Sequence, residues 1–305
     1  SYEKIVENFD ISKVEHYNMA GDTVDRHAAG ENADTVALVC ESKTGTIQSY
    51  TYRELSRLSD QFAVFLRNSG VRKGDVIACF AGQGLETALA HLGSYKLGAI
   101  VAPLSQLYGP EAVKHVLKDC EAKVLVTERS LWERIEGYSH ELPIQMVILS
   151  GGAKGDEIDF DNTLTDSMTS NFSRELTNAD DPALLLYTSG STGMPKGILH
   201  RQRLLRGYLS SVSLFYEMDM NTKGQVLWTV SDWSWVAGIF NVMLTGWYFG
   251  QTVVAGGQQF TPTWAFSFME RHGVTHCFLT PTALKRLAGT LEPRGTWPGL
   301  CLRAI

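Results

Sequence analysis

The sequence predicts an α/β protein made of two layered lobes with largely parallel sheets. Short β-rich apolar runs alternate with helical periodicity along most of the chain, which is the pattern of strand–helix–strand units. Most of these runs are apolar on both faces, as parallel strands are when helices cover a sheet on each side. The chain has 305 residues, 44% of them hydrophobic and 20% charged, and it is long enough to bury a large core.

Ten runs are predicted to be strands. In chain order they are Val36–Cys40, Asp75–Phe80, Ile100–Pro103, Lys123–Thr127, Gln145–Leu149, Ala183–Tyr187, Val226–Val230, Thr252–Ala255, His276–Thr280 and Leu300–Ile305.

Three helices between these strands have clear signals. Thr51 and Glu54 have the spacing of a capping box, and Thr261 followed by Pro262 is typical of an N-cap and a first-turn proline. Apolar positions at helical spacing follow the capping box at Leu55, Leu58, Phe62 and Leu66, and Trp264 and Phe268 are expected to face inward after Pro262. The third helix is indicated by its apolar stripe alone, at Leu85, Ala88, Leu89 and Leu92.

A polar segment divides the chain. Residues 151–181 are rich in Gly, Asp, Asn, Ser and Thr, which is typical of a loop or linker. We therefore expect one lobe over about residues 1–150 and a second over about residues 182–305. Residues 302–305 have the pattern of a strand interior, so we expect the second lobe to continue beyond them.

Composition excludes several classes of protein. The net charge is −6 with both signs interspersed, which argues against a general nucleic-acid binder and against a basic face for anionic lipid. No apolar stretch reaches the roughly 18 to 20 residues that span a bilayer, and the first residues carry no apolar signal core. The five cysteines include no CxxC pair, and four lie in or beside apolar runs, which favours buried, reduced thiols in a cytoplasmic protein. No metal site is predicted.

The most informative segment is a loop rich in glycine and hydroxyl groups. Residues 187–197 read YTSGSTGMPKG and follow the apolar run Ala183–Tyr187. Glycine allows the backbone to approach a ligand closely and to adopt positive φ, and such a nest of N–H and hydroxyl donors suits polyphosphate oxygens. Lys196 adds a positive charge that neutralises phosphate.

Two other interpretations of this segment are weaker. A flexible Ser/Gly linker needs neither a lysine after Pro195 nor an apolar strand leading into it. The phosphate loop of P-loop NTPases, GxxxxGK[ST], does not match, because Gly197 follows the lysine where a Ser or Thr would bind magnesium.

The segment closely resembles the phosphate-binding signature of the adenylate-forming superfamily, which includes acyl-CoA synthetases, luciferase-like enzymes and peptide-synthetase adenylation domains. Every fixed position of that signature is matched in residues 187–197. The resemblance implies an incomplete N-terminal domain of an adenylate-forming enzyme, with the lid domain absent. It also implies that the β- and γ-phosphates of ATP are held by Thr188, Ser189, Gly190, Ser191, Thr192, Gly193 and Lys196, of which Lys196 is the catalytic residue.

A second segment is similar to acetyl- and medium-chain acyl-CoA synthetases. Residues 227–238 read LWTVSDWSWVAG, in which Asp232 and Trp235 hold their usual places, whereas Trp233-Ser234 departs from the small residue and glycine of many relatives. The resemblance extends to residues 74–77, 96–100, 199–201 and 278–282.

These residues suggest further roles. The resemblance implies an acyl and CoA channel bordered by Trp233, Trp235, Val236 and Gly238; the alternative is ordinary packing of the aromatic rings. Asp232 is expected to cap the following helix and not to bind a metal. His200 is either a neighbour of the phosphates or a structural histidine, and Gln106 and Tyr108 are candidates to face CoA.

The resemblance implies ATP-dependent activation of a short- to medium-chain carboxylic acid to acyl-AMP and then acyl-CoA, with ATP, Mg²⁺ and CoA. Carboxylic acids are already ionised at pH 7, so the chemistry needs no general base. Relatives carry their adenine-, ribose- and Mg²⁺-binding segments and a lid lysine in regions that do not appear here, so we expect these 305 residues alone to be almost inactive. The alternative is a nucleotide-binding or interaction module without catalysis.

Overall fold

The computed structural model describes residues 14–164, 172–188, 193–256, 260–289 and 293–305. The strands within these ranges are β1 Val36–Glu41, β2 Ile47–Thr51, β3 Val76–Phe80, β4 Ile100–Pro103, β5 Val124–Glu128, β6 Met146–Ser150, β7 Ile158–Asp159, β8 Pro182–Thr188, β9 Lys196–Arg201, β10 Val226–Thr229, β11 Thr252–Gly256 and β12 His276–Phe278.

The helices in the same ranges alternate with these strands. They are α1 Arg26–Ala28, α2 Tyr52–Asn68, α3 Leu85–Leu97, α4 Pro110–Asp119, α5 Arg129–Trp132, α6 Leu204–Phe215, α7 Leu244–Tyr248, α8 Pro262–Arg271, α9 Pro281–Ala288 and α10 Pro293–Thr296. Segments Gly21–Asp25 and Ala237–Met243 are wound as π-helix and lead into α1 and α7.

The strands of the described ranges form two sheets. One has the order β12-β10-β11-β1-β2 and the other has the order β7-β6-β5-β3-β4-β8-β9. Pairing is parallel within each sheet except at one edge, where β2 and β9 run antiparallel to their neighbours. The predicted α/β class with largely parallel sheets is confirmed.

The two sheets do not follow the lobes predicted from the linear sequence. β1 pairs in parallel with β11, with Leu38 opposite Val253, so the first strand belongs with β10–β12. In the same way, β4 pairs with β8 through Val101 and Leu184. The segment 151–181 therefore does not separate the sheets. The seven-stranded sheet contains β3 to β6 from before this segment, β7 from within it, and β8 and β9 from after it.

Nine of the ten predicted strands are present within one or two residues of their predicted bounds. The tenth, over residues 300–305, is reduced to a single bridge between His276 and Ala304. β2 and β9 were not predicted, because most of their side chains are exposed and lack an apolar face.

The predicted caps are confirmed. The Thr51 hydroxyl accepts from the Glu54 backbone N–H at 3.2 Å, and the Glu54 carboxylate accepts from the Thr51 N–H at 2.7 Å. Thr261 accepts from the Trp264 N–H at 3.2 Å and begins α8.

A continuous core joins the two sheets. Its largest cluster contains Ile77 and Val101 from the seven-stranded sheet together with Leu38, Leu227 and Val253 from the five-stranded sheet. Almost every residue of α3 is buried, so this helix is covered on all sides. This packing fixes the edges of the two sheets relative to each other.

The cysteines are free thiols, and burial differs among them. Cys79, Cys120 and Cys277 are buried, Cys40 is half-buried and Cys301 is exposed. Burial raises the pKa of Cys40 and of Cys79 to about 12 and that of Cys120 to about 11, so these thiols stay protonated and unreactive near neutral pH. In the described ranges, no helix combines the length and the apolar character needed to cross a bilayer.

Candidate active site

Gln83 joins the carboxyl ends of strands from both sheets. It follows β3 of the seven-stranded sheet, and its side-chain amide donates to the carbonyl of Thr229, the last residue of β10, at 3.0 Å and to the carbonyl of Ser231 at 2.8 Å. Its side-chain oxygen accepts from the Gly256 N–H at 3.3 Å, at the end of β11. All three contacts reach the five-stranded sheet, so Gln83 fixes the spacing of the two sheets at this edge.

The seven-stranded sheet has a topological switch point between β3 and β5 at the same edge. The chain leaves β3 toward β4 on one side and leaves β5 toward β6 on the other, and ligands of open α/β sheets bind outside the carboxyl ends of strands at such a switch point. Here the Gly82 N–H donates to Glu128 at 2.7 Å. A Cβ atom at residue 82 would lie 3.1 Å from both Glu128 and the Gln106 side chain, so glycine permits this close approach.

Asp232 forms a second tie between the sheets. One carboxylate oxygen accepts from the Gln106 backbone N–H at 3.2 Å, after β4, and the other accepts from the Ser234 N–H at 3.3 Å. Burial raises the pKa of Asp232, and the two N–H donors oppose that rise. The expected helix cap is wrong: Val236 occupies the N-cap position without a side-chain bond. The reason is that Asp232 finds a partner 126 residues away, which no local pattern indicates.

The candidate acid-pocket residues lie at different depths. Trp233 is fully buried, with its ring centroid 6.5 Å from that of Trp247, and Gly238 is buried against the Asp232 backbone. Trp235 is 42% exposed and Val236 is half-buried. Only Trp235 and Val236 are thus available to line a pocket directly.

The glycine–hydroxyl loop is described at its two ends. Thr188, the last residue of β8, pairs with Lys196, the first residue of β9; Ser189, Gly190, Ser191 and Thr192 lie outside the described residues. Gly193 has a φ of +127°, a conformation that favours glycine. Lys196 is exposed and forms no ion pair with the described residues, so its charge is available to a ligand.

Because β8 is parallel to β4, its carboxyl end reaches the same sheet edge as the switch point between β3 and β5. The loop of residues 188–196 therefore leaves the sheet on the side where Gly82 and Gln83 lie. His200 lies farther along β9, opposite Leu184; partial burial lowers its pKa, so it is neutral near pH 7.

Helix α4 and Tyr108, just before it, form hydrogen bonds with the residues at the two ends of this loop. The His115 imidazole donates from Nε2 to the Pro195 carbonyl at 2.9 Å, and the Tyr187 hydroxyl donates to Asp119 at 2.6 Å. The Tyr108 hydroxyl approaches the Tyr187 carbonyl at 3.4 Å. Sequence reasoning missed His115 and Asp119, because their partners are about 70 to 80 residues away and no motif connects them.

Arg134 holds the turn after β4. Its guanidinium donates to the Gln106 carbonyl at 2.8 Å and also to the Tyr108 carbonyl. The turn proposed to face CoA is thereby tied to the helical region after β5. Its Tyr108 also contacts Tyr187, just before the loop of residues 188–196.

The described residues contain no group of three or more His, Cys, Asp or Glu side chains able to hold a metal ion. At the carboxyl ends of β3 and β8 the described residues offer backbone N–H groups, the Thr188 hydroxyl and the exposed Lys196. Such a site binds an anion and stabilises charge that moves onto it.

The fold is a layered α/β domain in which the glycine–hydroxyl loop begins and ends at the carboxyl edge of a largely parallel sheet. The family profile described as "AMP-binding enzyme" matches residues 24–299, and the chain belongs to that family. The resemblance to the adenylate-forming superfamily is thereby confirmed.

Individual relatives narrow the class. The chain is 33% identical over 278 residues to an acetyl-coenzyme A synthetase of Bacillus subtilis, covering 89% of this chain and 47% of that protein. It is 28% identical over 294 residues to a 3-hydroxypropionyl-coenzyme A synthetase of Metallosphaera sedula, covering 88% of this chain and 43% of that protein. The chain thus spans about half the length of the curated relatives it matches.

Solved structures share the fold. A Brucella canis acyl-CoA synthetase superposes with a TM-score of 0.82 at 24% identity, covering 97% of this chain and 55% of that one. The anthranilate CoA ligase AuaEII in complex with anthranoyl-AMP gives a TM-score of 0.82 at 21% identity, covering 94% of this chain and 54% of that one.

Proposed function

We propose that the protein containing these 305 residues uses ATP to convert a short- to medium-chain carboxylic acid to its acyl-AMP, and then transfers the acyl group to the thiol of CoA. One observation carries the proposal: Thr188 and Lys196 pair at the two ends of the loop, on the same sheet edge as the switch point between β3 and β5. The names of the relatives, acetyl-CoA and 3-hydroxypropionyl-CoA synthetase, support an acid of small size.

The proposed chemistry agrees with the side chains available. The substrate carboxylate is ionised near pH 7, so it attacks the α-phosphorus directly and the bond to pyrophosphate breaks. The barrier comes from bringing two anions together and from charge on the leaving group. In this proposal the hydroxyl and N–H groups of residues 188–193 bind the β- and γ-phosphates, and Lys196 neutralises the pyrophosphate as it leaves.

In the second step the CoA thiol attacks the acyl-AMP carbonyl, AMP departs and the thiol proton passes to solvent. We assign the acid pocket to Trp235 and Val236, with Trp233 and Gly238 supporting it from the core.

Binding and catalysis are tested separately on the full-length protein. Calorimetry with MgATP measures binding, and acid-dependent exchange of pyrophosphate into ATP measures adenylation, with acetate, propionate, butyrate, octanoate and benzoate as substrates. We expect exchange with at least one acid. Nucleotide binding without exchange for any acid would favour a non-catalytic module, and no binding would reject the proposal.

Lys196→Ala tests the loop within the same assay. Losing a charged donor to phosphate predicts a fall in kcat/KM for ATP of about 10- to 100-fold. Lys223→Ala is the matched control, because Lys223 is an exposed lysine at the opposite, amino end of β10. Full activity of Lys196→Ala would contradict the role proposed for Lys196.

Two further proposals concern the whole protein. Because the chain spans about half the length of the curated relatives it matches, the 305 residues alone should support exchange far more slowly than the full-length protein, which the same assay measures. A cytoplasmic location agrees with the use of ATP and CoA and with thiols that stay reduced.

A further inference from the structure

Helix α4 contacts both ends of the loop formed by residues 188–196. At one end, the hydroxyl of Tyr187, the residue before Thr188, donates to the Asp119 carboxylate at 2.6 Å. At the other end, His115 lies 2.9 Å from the carbonyl oxygen of Pro195, the residue before Lys196. A carbonyl can only accept, so the His115 Nε2 must carry the proton and donate.

The two contacts come from one face of the helix. His115 and Asp119 are four residues apart within α4, and residues at that spacing lie one above the other on a helix. A single rigid element therefore holds the strand before the loop and the strand after it. Tyr108, just before α4, adds a longer contact of 3.4 Å from its hydroxyl to the Tyr187 carbonyl.

The contact at Pro195 has a consequence for Lys196. The peptide bond between them is planar and trans, so fixing the direction of the Pro195 carbonyl also fixes the Lys196 N–H, which points the opposite way. Pro195 has no N–H of its own, and its carbonyl is its only polar backbone group. His115 thus sets the orientation in which the chain presents Lys196.

The contact at Tyr187 is equally well defined. The side chain is largely buried, and burial together with the hydrogen bond to Asp119 raises the pKa of Tyr187 above its ordinary value. It therefore remains a donor at any working pH. On its other side, a Cβ atom at Gly197 would lie 3.0 Å from the Tyr187 ring, so the ring is packed closely against the returning strand β9.

We propose that His115 and Asp119 are positioning residues that set the two ends of the phosphate-binding loop before the nucleotide arrives. This inference rests on the proposed function and extends it. A loop whose ends are held in advance loses less conformational freedom on binding, which lowers the free-energy cost of binding ATP. Neither side chain needs to touch the nucleotide.

The test compares two substitutions of His115 in the full-length protein. His115→Leu removes the donor, and His115→Gln keeps one, since the glutamine amide nitrogen reaches about as far as Nε2. For His115→Leu we expect the KM for MgATP in pyrophosphate exchange to rise about three- to tenfold, the range for losing one hydrogen bond. The KM for the acid should change less than twofold, and His115→Gln should restore most of the MgATP KM.

The control is His140→Leu, which removes an exposed histidine from outside the loop region and should leave both KM values unchanged. Tyr187→Phe tests the other end of the loop by removing only the hydroxyl that Asp119 accepts. It should also raise the KM for MgATP alone, and it serves in place of His115→Leu if that variant does not fold.

Several outcomes would overturn the inference. One is an unchanged KM for MgATP in both His115→Leu and Tyr187→Phe. Another is an equal rise in the KM of both substrates, which would indicate a general loss of structure. A third is His115→Gln behaving like His115→Leu, which would mean that the hydrogen bond is not the cause. If the wild-type protein itself shows no exchange, the proposed function fails, and that result is distinct from the other three.

Discussion

At the scale of single residues, Gly238 is a position where replacing a glycine hydrogen with a Cβ atom would disturb the packing. A Cβ atom at this position would lie 2.5 Å from the Asp232 carbonyl oxygen and 3.1 Å from its carbon. Both are backbone atoms in the segment that ties the two sheets together, so neither can rotate away. The segment after β10 therefore folds tightly over the start of the π-helical turn only because residue 238 is glycine.

We expect Gly238→Ala to lower the free energy of unfolding by about 1 to 3 kcal/mol, the usual cost of overpacking a core. Urea denaturation measures it. Gly207→Ala is the matched control, because an added Cβ there meets nothing within 4 Å in the exposed middle of α6. It should stabilise by about 0.5 to 1 kcal/mol through helix propensity. Equal effects of the two substitutions would contradict the predicted clash.

Residues also differ in how far the sequence can reveal them. Thr188, Gly193 and Lys196 belong to a contiguous motif, so local chemistry was enough to select them. Gln83 and His115 act through partners about 80 to 170 residues away. A polar side chain of this kind has no periodic or motif signal, because its importance is created only when the sheets bring distant segments together.

At the scale of elements, α2 shows a helix start that the sequence defines fully. The Thr51 hydroxyl and the Glu54 carboxylate each satisfy a backbone N–H that the first turn leaves free. Glu54 also lies near the positive end of the helix dipole. Hydrogen bonds from Thr51 lower the pKa of Glu54, so the cap is complete when Glu54 is ionised.

We expect Thr51→Ala to lower the free energy of unfolding by about 1 kcal/mol, since alanine has no side-chain acceptor for the N-terminal N–H groups. Thr51→Ser keeps the hydroxyl and should cost only a few tenths of that. Thermal and urea unfolding of both variants give the comparison. A serine variant as unstable as the alanine variant would show that the methyl group, and not the cap, supports the helix.

Strands also differ in how well the sequence predicts them. Buried strands such as β3 and β5 are apolar runs, and the sequence predicts them within a residue of their observed bounds. The edge strands β2 and β9 carry mostly exposed side chains, so their hydrogen bonds to one neighbour define them and their composition does not. Residues 300–305 show the reverse case, with an apolar pattern but only one bridge.

At the scale of the whole molecule, the sequence predicts the class but not the sheet membership. The alternation of strands and helices is local, whereas the parallel pairing of β1 with β11 joins segments more than 200 residues apart. A division at residues 151–181 is the simplest interpretation of composition, yet each sheet takes strands from both sides of it. Both sheets share one core, so unfolding of the described part is expected to be cooperative.

That shared core makes global stability sensitive to His91. The side chain lies in α3, is fully buried, and shares a hydrogen bond of 2.9 Å between Nδ1 and the Tyr95 hydroxyl; its Nε2 contacts no partner among the described residues. Burial lowers the pKa of His91 to about 3 from the ordinary value of 6.5. The folded protein therefore keeps His91 neutral at pH values where the unfolded chain is protonated.

Protonation of His91 favours the unfolded state as the pH falls. Between about pH 3 and pH 6.5 the unfolded state binds one more proton than the folded state at this site, so the contribution of His91 to stability falls as the pH falls through that window. Its slope can approach about 1.4 kcal/mol per pH unit.

His91→Phe keeps an aromatic ring beside Tyr95 but removes the titration. Urea denaturation at several pH values should give a shallower loss of stability for His91→Phe than for the wild type below pH 6.5, and parallel profiles above about pH 7.5, where histidine is neutral in both states. Other buried groups titrate in both proteins and cancel in the comparison, so identical slopes between pH 4.5 and 6.5 would show that protonation of His91 does not limit the acid stability of the fold.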